Sequence, residues 1–274
     1  MNNCLKTQLK AAVNNNDLPK LGELTFKVNV PSNATTANSK IIVENGKSCK
    51  VYVPVGKNLY DSSGNSLGSE VTIAANTQQV ICLLDAGEYN VAFTEKYSLE
   101  NLSLNNYSNT NKFSFDINEL KYSDNLDTFG SIENSYGDIS SLSASKSTLT
   151  ALRVSNYTPK TEGITFTLAQ IAEFTKLKYV AIAQNQNASG DITVLSALSE
   201  LLNIELQNTY IFGSIDDIAN AQKSSRSNGS TIVIKGNGII TYKSNGDGTG
   251  TDTVITNGTT KTITFNGQGG YSIS

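Results

Sequence analysis

Between about Phe113 and Gln222 one short pattern returns four times, and it constrains the fold more than any other feature of the chain. Its clearest copy runs from Leu177 through Val180 and Ile182 to Asn185, then reaches Gly190-Asp191-Ile192. The next has Leu201, Ile204, Leu206 and Thr209, then Gly213-Ser214-Ile215. Two earlier copies carry Leu149, Leu152 and Val154 before Gly163-Ile164, and Leu126 and Phe129 before Gly137-Asp138-Ile139. The glycines Gly137, Gly163, Gly190 and Gly213 therefore recur at intervals of 26, 27 and 23 residues. A half-copy, Asp116-Ile117-Asn118-Glu119-Leu120, extends the series backwards.

A period in the twenties with apolar spacing L-x-x-L-x-L-x-x-N marks a leucine-rich-repeat pattern. Within each copy the apolar residues alternate, as at Val180 and Ile182, which puts them on one face of a short strand. One copy alone cannot bury that face, so the copies must stack with their strands in a parallel sheet. The glycine before each second isoleucine permits a tight turn into the return segment. Leu142, Ile171 with Phe174, Leu195 with Leu198, and Ile218 then fill the back. Leu168–Phe174, with apolar spacing near three, predicts a short helix. The G-x-I spacing resembles the plant-receptor subtype without its following proline, and the positions of the usual asparagine ladder hold Asn134, Tyr157, Asn185 and Thr209.

Outside the repeats the apolar period changes to two. Thr25–Val30, Lys50–Val53 and Val71–Ile73 alternate, with Gly46, Gly64-Asn65 and Gly87 as punctuation, which predicts a small β-sandwich. Thr231–Ile234, Gly238–Tyr242, Thr253–Ile255 and Thr262–Phe265 alternate in the same way at the C-terminal end. Leu5, Leu9 and Val13, at steps of four, suit a short helix or arm. The expected fold is mainly β with short helices: an N-terminal arm or helix (1–22), a β-sandwich-like domain (23–97), a central leucine-rich-repeat solenoid (98–223) and a β-rich C-terminal cap (224–274). The Asn- and Ser-rich stretch from Tyr97 to Asn111 is expected to wrap into the first repeat as its cap.

Charged residues make up 16% of the 274 residues, below the roughly 25% of ordinary globular chains. Asn, Ser, Thr and Gln supply the polarity instead, a composition suited to extended β structure on a secreted or virion surface. A net charge of −3 offers no electrostatic footprint for nucleic acid, and no apolar run approaches the roughly 18 residues of a membrane span. Met1–Lys6 lacks the order of a signal peptide, so Cys4 is expected as a partly buried free thiol. Cys49 and Cys82 could pair, but an odd count of 3 cysteines and the absence of C-x-x-C spacing argue against a disulfide frame or zinc site. Reduced thiols suit folding in the cytosol.

The chain contains no histidine. That removes Ser-His-Asp and Cys-His catalysis and most zinc chemistry. No phosphate-binding G-x-x-x-x-G-K-[ST] loop occurs, nor a G-x-G-x-x-G after a strand. Asn245–Asp252 resembles a calcium loop but lacks a closing glutamate, and its Gly, Asn and Asp residues are what a hairpin turn needs. Asp138 and Asp191 occupy equivalent repeat positions, which favours turn residues over a catalytic carboxylate pair. The expectation is a protein that is no enzyme and uses no cofactor or metal.

A binding surface is the better candidate. The residues beside the strand apolars should line one face in three rows: Thr128, Ala151, Tyr179 and Asn203; Gly130, Arg153, Ala181 and Glu205; Ile132, Ser155, Ala183 and Gln207. Arg153, Tyr179, Asn203, Glu205 and Gln207 are the candidate binding residues, with Tyr179 and Arg153 as anchors because Tyr and Arg are enriched at hot spots. A flat, amide-rich face could also take glycan hydroxyls, and a solvated face without a ligand is the alternative.

At Met1–Lys10, Asn14–Leu18 and Leu21–Leu24, and again at Phe115-Asp116-Ile117-Asn118-Glu119-Leu120-Lys121-Tyr122, the chain resembles proteins of gut Bacteroidales and their phages. Those proteins look like an N-terminal β-domain followed by leucine-rich repeats, and some are virion-associated. The resemblance implies a phage structural or fibre-like protein; with no signal-peptide order and a surface-like composition, the expectation is a virion appendage with other virion proteins or its own copies as partners and a host protein or glycan as ligand. The alternative is a bacterial adhesin or interaction module at the cell surface or in the cytoplasm.

Overall fold

The computed structural model describes residues 22–105, 112–131, 135–156, 163–236, 240–243, 252–255 and 259–274. The expected N-terminal arm, Cys4, Ile132, two ladder positions (Asn134 and Tyr157) and nearly all of the calcium-like loop lie outside these residues. The protein is mainly β, with large sheets and short helical turns.

Among the described residues, nine strands lie before the junction with the repeats: β1 (Leu24–Val30), β2 (Lys40–Asn45), β3 (Cys49–Tyr52), β4 (Leu59–Tyr60), β5 (Ser66–Gly68), β6 (Glu70–Ile73), β7 (Gln79–Cys82), β8 (Gly87–Phe93) and β9 (Leu99–Asn105). The repeat region adds β10 (Lys112–Asp116), β11 (Thr128–Ser131), β12 (Ser135–Asp138), β13 (Ala151–Arg153), β14 (Ile164–Thr165), β15 (Tyr179–Ala181), β16 (Ser189–Asp191), β17 (Asn203–Glu205) and β18 (Tyr210–Ser214). The last five are β19 (Thr231–Lys235), β20 (Ile240–Lys243), β21 (Asp252–Ile255), β22 (Thr260–Phe265) and β23 (Tyr271–Ile273).

One 12-stranded sheet has the order β23-β22-β19-β17-β15-β13-β11-β9-β2-β7-β4-β5, and a 7-stranded sheet runs β14-β12-β10-β1-β8-β3-β6. Both pass through the position of the expected boundary near residue 97. The Tyr97–Asn111 stretch supplies β9, which pairs in parallel with β11 and antiparallel with β2. β9 is therefore a joint between strands of both regions, while the rest of the expected cap, 106–111, lies outside the described residues. The core crosses the same joint. Phe26 stacks on Phe93 at 5.5 Å and meets Phe115 edge-on at 6.0 Å, and Phe115 lies 6.3 Å from Phe129. Aromatic pairs at these separations add about 0.5–1.5 kcal/mol each beyond the area they bury.

In the repeats, Leu102, Phe129, Leu152, Val180, Ile204 and Ile234 form one buried row across β9, β11, β13, β15, β17 and β19. A one-residue slip would turn that whole row to solvent, so burial fixes the register. Each copy then enters its return turn by the same device. Asp116, Asp138 and Asp191 cap the 3-10 turns Ile117–Leu120, Ile139–Ser145 and Ile192–Ala197, accepting from the backbone N–H two residues on. Thr167 caps the helix Leu168–Ala172 in a capping box with Gln170, and Ser214 caps the helix Ile215–Gln222. Asp138 and Asp191 are turn residues, as expected from their repeat positions, and Asp116 acts in the same way.

Hydroxyls connect neighbouring copies where amides were expected. Ser123 Oγ donates to the carbonyl of Lys96 at 2.9 Å, and the fully buried Ser145 Oγ donates to the carbonyl of Ser123. Asn185 is the one amide of the expected ladder within the described residues; its Nδ2 makes long contacts to the carbonyls of Val154 and Ile164. Thr209 bonds within its own copy, to the carbonyl of Leu206 at 2.9 Å. At the far end Gln222 Nε2 donates to the carbonyls of Ser196 and Leu198, both at 2.9 Å, and Arg226 donates to Gln222 Oε1 and to the carbonyl of Leu201. Arg226 also lies over the Phe265 ring, tying the last strands to the repeats.

Candidate functional site

The alternation that buries Leu152, Val180 and Ile204 turns their neighbours outward, and strand register sets those neighbours in rows. Thr128 pairs with Ala151, Ala151 with Tyr179 and Tyr179 with Asn203. In the second row Gly130 pairs with Arg153, Arg153 with Ala181 and Ala181 with Glu205. Both rows match the sequence reading. They also run further: Asn101 and Ser103 precede them on β9, and Val233 and Lys235 follow on β19.

The small residues Gly130, Ala151 and Ala181 leave a depression of about 300 Å³ in this face. Four of the five candidates line it, namely Arg153, Tyr179, Asn203 and Glu205. Tyr179 forms a wall and stays 51% exposed, an apolar ring kept at the surface within a sheet whose opposite face is fully covered. Glu205 is held by Lys235 at 2.6 Å, so the two charges offset one another. Arg153 has no carboxylate partner among the described residues and brings the unbalanced positive charge. Asn203 Oδ1 is buried without a hydrogen-bond donor.

Gln207 stands apart. Its backbone carbonyl accepts from Gln184 N at 2.6 Å, beyond the end of β17, and it does not line the depression. Its Oε1 and Ser155 Oγ, both in the third row, are likewise buried and unpartnered. Buried polar atoms of this kind are few in native proteins, and each lost bond costs about 1–3 kcal/mol. Three of them on one face concentrate unsatisfied hydrogen-bonding capacity there. Sequence could not have found this, because side-chain partners depend on packing.

Chemistry elsewhere is limited. Cys49 and Cys82 are both buried free thiols, and burial, with Glu95 nearby, pushes Cys49 up to about 11. Burial raises Cys82 as well, so both are protonated and poor nucleophiles at neutral pH. Among the described residues no group of three or more Cys, Asp or Glu is placed to hold a metal ion, and no helix is long and apolar enough to cross a membrane. Asp138 is held below the usual carboxylate range chiefly by its bonds to Ser140, with Thr165 and Gln170 adding to the effect. Those contacts make it a structural link between copies. Compared with known protein families and with curated proteins, the sequence matches none.

Proposed function

We propose that this chain is a non-enzymatic structural protein of a bacteriophage virion, a fibre or decoration element whose repeats display a face for a host-surface protein or glycan. In this reading the copies from 98 to 223 form a leucine-rich-repeat solenoid, flanked by a β-sandwich-like domain (23–97) and a β-rich cap (224–274). The observation that carries the binding role is the depression of about 300 Å³, with its half-exposed Tyr179 and an Arg153 that has no carboxylate partner among the described residues. An exposed aromatic and a guanidinium around a small-residue floor combine the two side-chain types most enriched at interaction hot spots. The lack of histidine and the protonated state of the described thiols support a role in binding over catalysis.

Two experiments test this reading. Labelled protein is expected to bind host cells, and Tyr179→Ala combined with Arg153→Ala to abolish binding; unchanged binding would remove these residues as anchors. Proteomics across a density gradient of filtered lysate is expected to find the chain co-banding with capsid at fixed stoichiometry. Recovery with cells alone would replace the virion assignment with that of a bacterial adhesin or interaction module.

A further inference from the structure

The tripeptide Lys-Tyr-Ser occurs twice, at Lys96–Ser98 and Lys121–Ser123, 25 residues apart. The fold sets the two copies side by side. Lys96–Ser98 is the 3-10 turn leading into β9, and Lys121–Ser123 closes the turn after Ile117–Leu120. The backbone beneath both is pinned. Ser123 Oγ donates to the Lys96 carbonyl at 2.9 Å, Ser123 N to the Leu120 carbonyl at 2.9 Å, and Lys96 N to the Gly22 carbonyl at 2.9 Å.

On this fixed base the rings of Tyr97 and Tyr122 meet edge to face, 6.3 Å apart at 63°. They remain 40% and 66% exposed. Lys96 Nζ lies 5.5 Å from the Tyr97 centroid and Lys121 Nζ 5.7 Å from that of Tyr122. Two ion pairs flank the rings: Lys96 with Glu119 at 2.9 Å and Lys47 with Glu95 at 3.9 Å. Three residues beyond each tyrosine, Glu100 and Asn125 line a polar cleft of about 440 Å³ with Glu44, Asn101 and Asp127.

We propose that this pair of turns is a carbohydrate-binding platform that takes a neutral pyranose oligomer. Apolar C–H faces of the sugar stack on the two rings. The lysine ammonium groups donate to ring and hydroxyl oxygens, and the carboxylates and amides of the cleft accept from hydroxyls. Charge selects among ligand classes. An anionic chain would meet Glu44, Glu100 and Asp127, whereas an apolar peptide would leave those carboxylates without donors. The platform shares no lining residue with the Tyr179 depression, and the inference stands independently of the function proposed for it.

The test is saturation-transfer NMR and titration calorimetry of the full chain with maltohexaose, cellohexaose, xylohexaose and chitohexaose. At least one hexaose is expected to bind. Tyr122→Ala is expected to weaken it by about tenfold or more, the scale of one lost aromatic stacking partner, while Tyr122→Phe leaves it within twofold of the parent. Tyr122 is exposed enough that its loss leaves folding intact, and an unchanged melting curve verifies this. No binding by any of the four sugars overturns the proposal. Binding that survives Tyr122→Ala and Tyr97→Ala also overturns it, and binding lost only in Tyr179→Ala assigns the sugar to the depression instead.

Discussion

Replacing Gly213 by alanine should cost far more than a surface glycine substitution normally does. Gly213 sits at φ +114°, and a methyl there would land on Asp191 Oδ1 and within 3.2 Å of Ile192 Cγ2. A residue with a Cβ forced into that backbone region costs about 1–3 kcal/mol. The carboxylate it strikes is no free side chain, because Asp191 Oδ1 caps the turn Ile192–Ala197 by accepting from Thr193 N at 2.9 Å. Moving it aside forfeits a cap worth about 1 kcal/mol. The total is about 2–4 kcal/mol, a large share of the roughly 5–15 kcal/mol that holds a native domain together.

Gly229 provides the control. Its φ is +77° and nothing lies within 4 Å of an added methyl, so Gly229→Ala should cost only about 1 kcal/mol. The gain from restricting the unfolded chain is common to both substitutions and cancels in the comparison. Urea denaturation measures both as midpoint shifts at constant slope. In an Asp191→Ala background the collision is gone, and Gly213→Ala should cost about 1 kcal/mol less than in the parent. Equal penalties at Gly213 and Gly229, or additivity with Asp191→Ala, would refute the collision argument.

Three further outcomes are expected. Ser145→Ala strands the buried Ser123 carbonyl and should destabilise by about 1–3 kcal/mol in urea melts, whereas Ser147→Ala at an exposed position should stay within about 0.5 kcal/mol. Because the folded state holds Asp138 below its ordinary 3.8, its contribution is complete above about pH 5 and fades as pH falls through the lowered folded value. The stability gap between the parent and Asp138→Asn should therefore shrink on acidification below pH 4, and a constant gap would count against the link. Gln222→Ala removes the acceptor of the buried Arg226 and the donor to two carbonyls, so a loss of about 3 kcal/mol is expected by thermal or urea melting.

Much of the candidate face was legible because period-two patterning carries its own register. Once Leu152, Val180 and Ile204 are aligned, Ala151, Tyr179 and Asn203 must share a row. β9 was not legible, and the reason is local. Its apolar residues fall at Leu99, Leu102 and Leu104, and a bulge opposite Glu44 and Asn45 breaks the alternation. The hydroxyl links were hidden because Ser123 and Ser145 read as ordinary turn serines until their carbonyl partners are placed. Ile41 to Val43 on β2 form an unbroken apolar run, and only the pairing of Ile42 with the outward Ser103 explains its half-buried middle residue.

The continuous 12-stranded sheet also acts as a ruler. Its repeat strands step in parallel at a constant register, and each step adds about 4.8 Å of width. Inserting or deleting one whole copy would move the two ends of the molecule apart or together by that increment, while the pairings on either side keep their partners. Chains of this plan can therefore change reach in discrete, fold-neutral increments by unequal duplication within a gene. The serine hydroxyls that bridge neighbouring copies would serve as well in a longer chain as in this one.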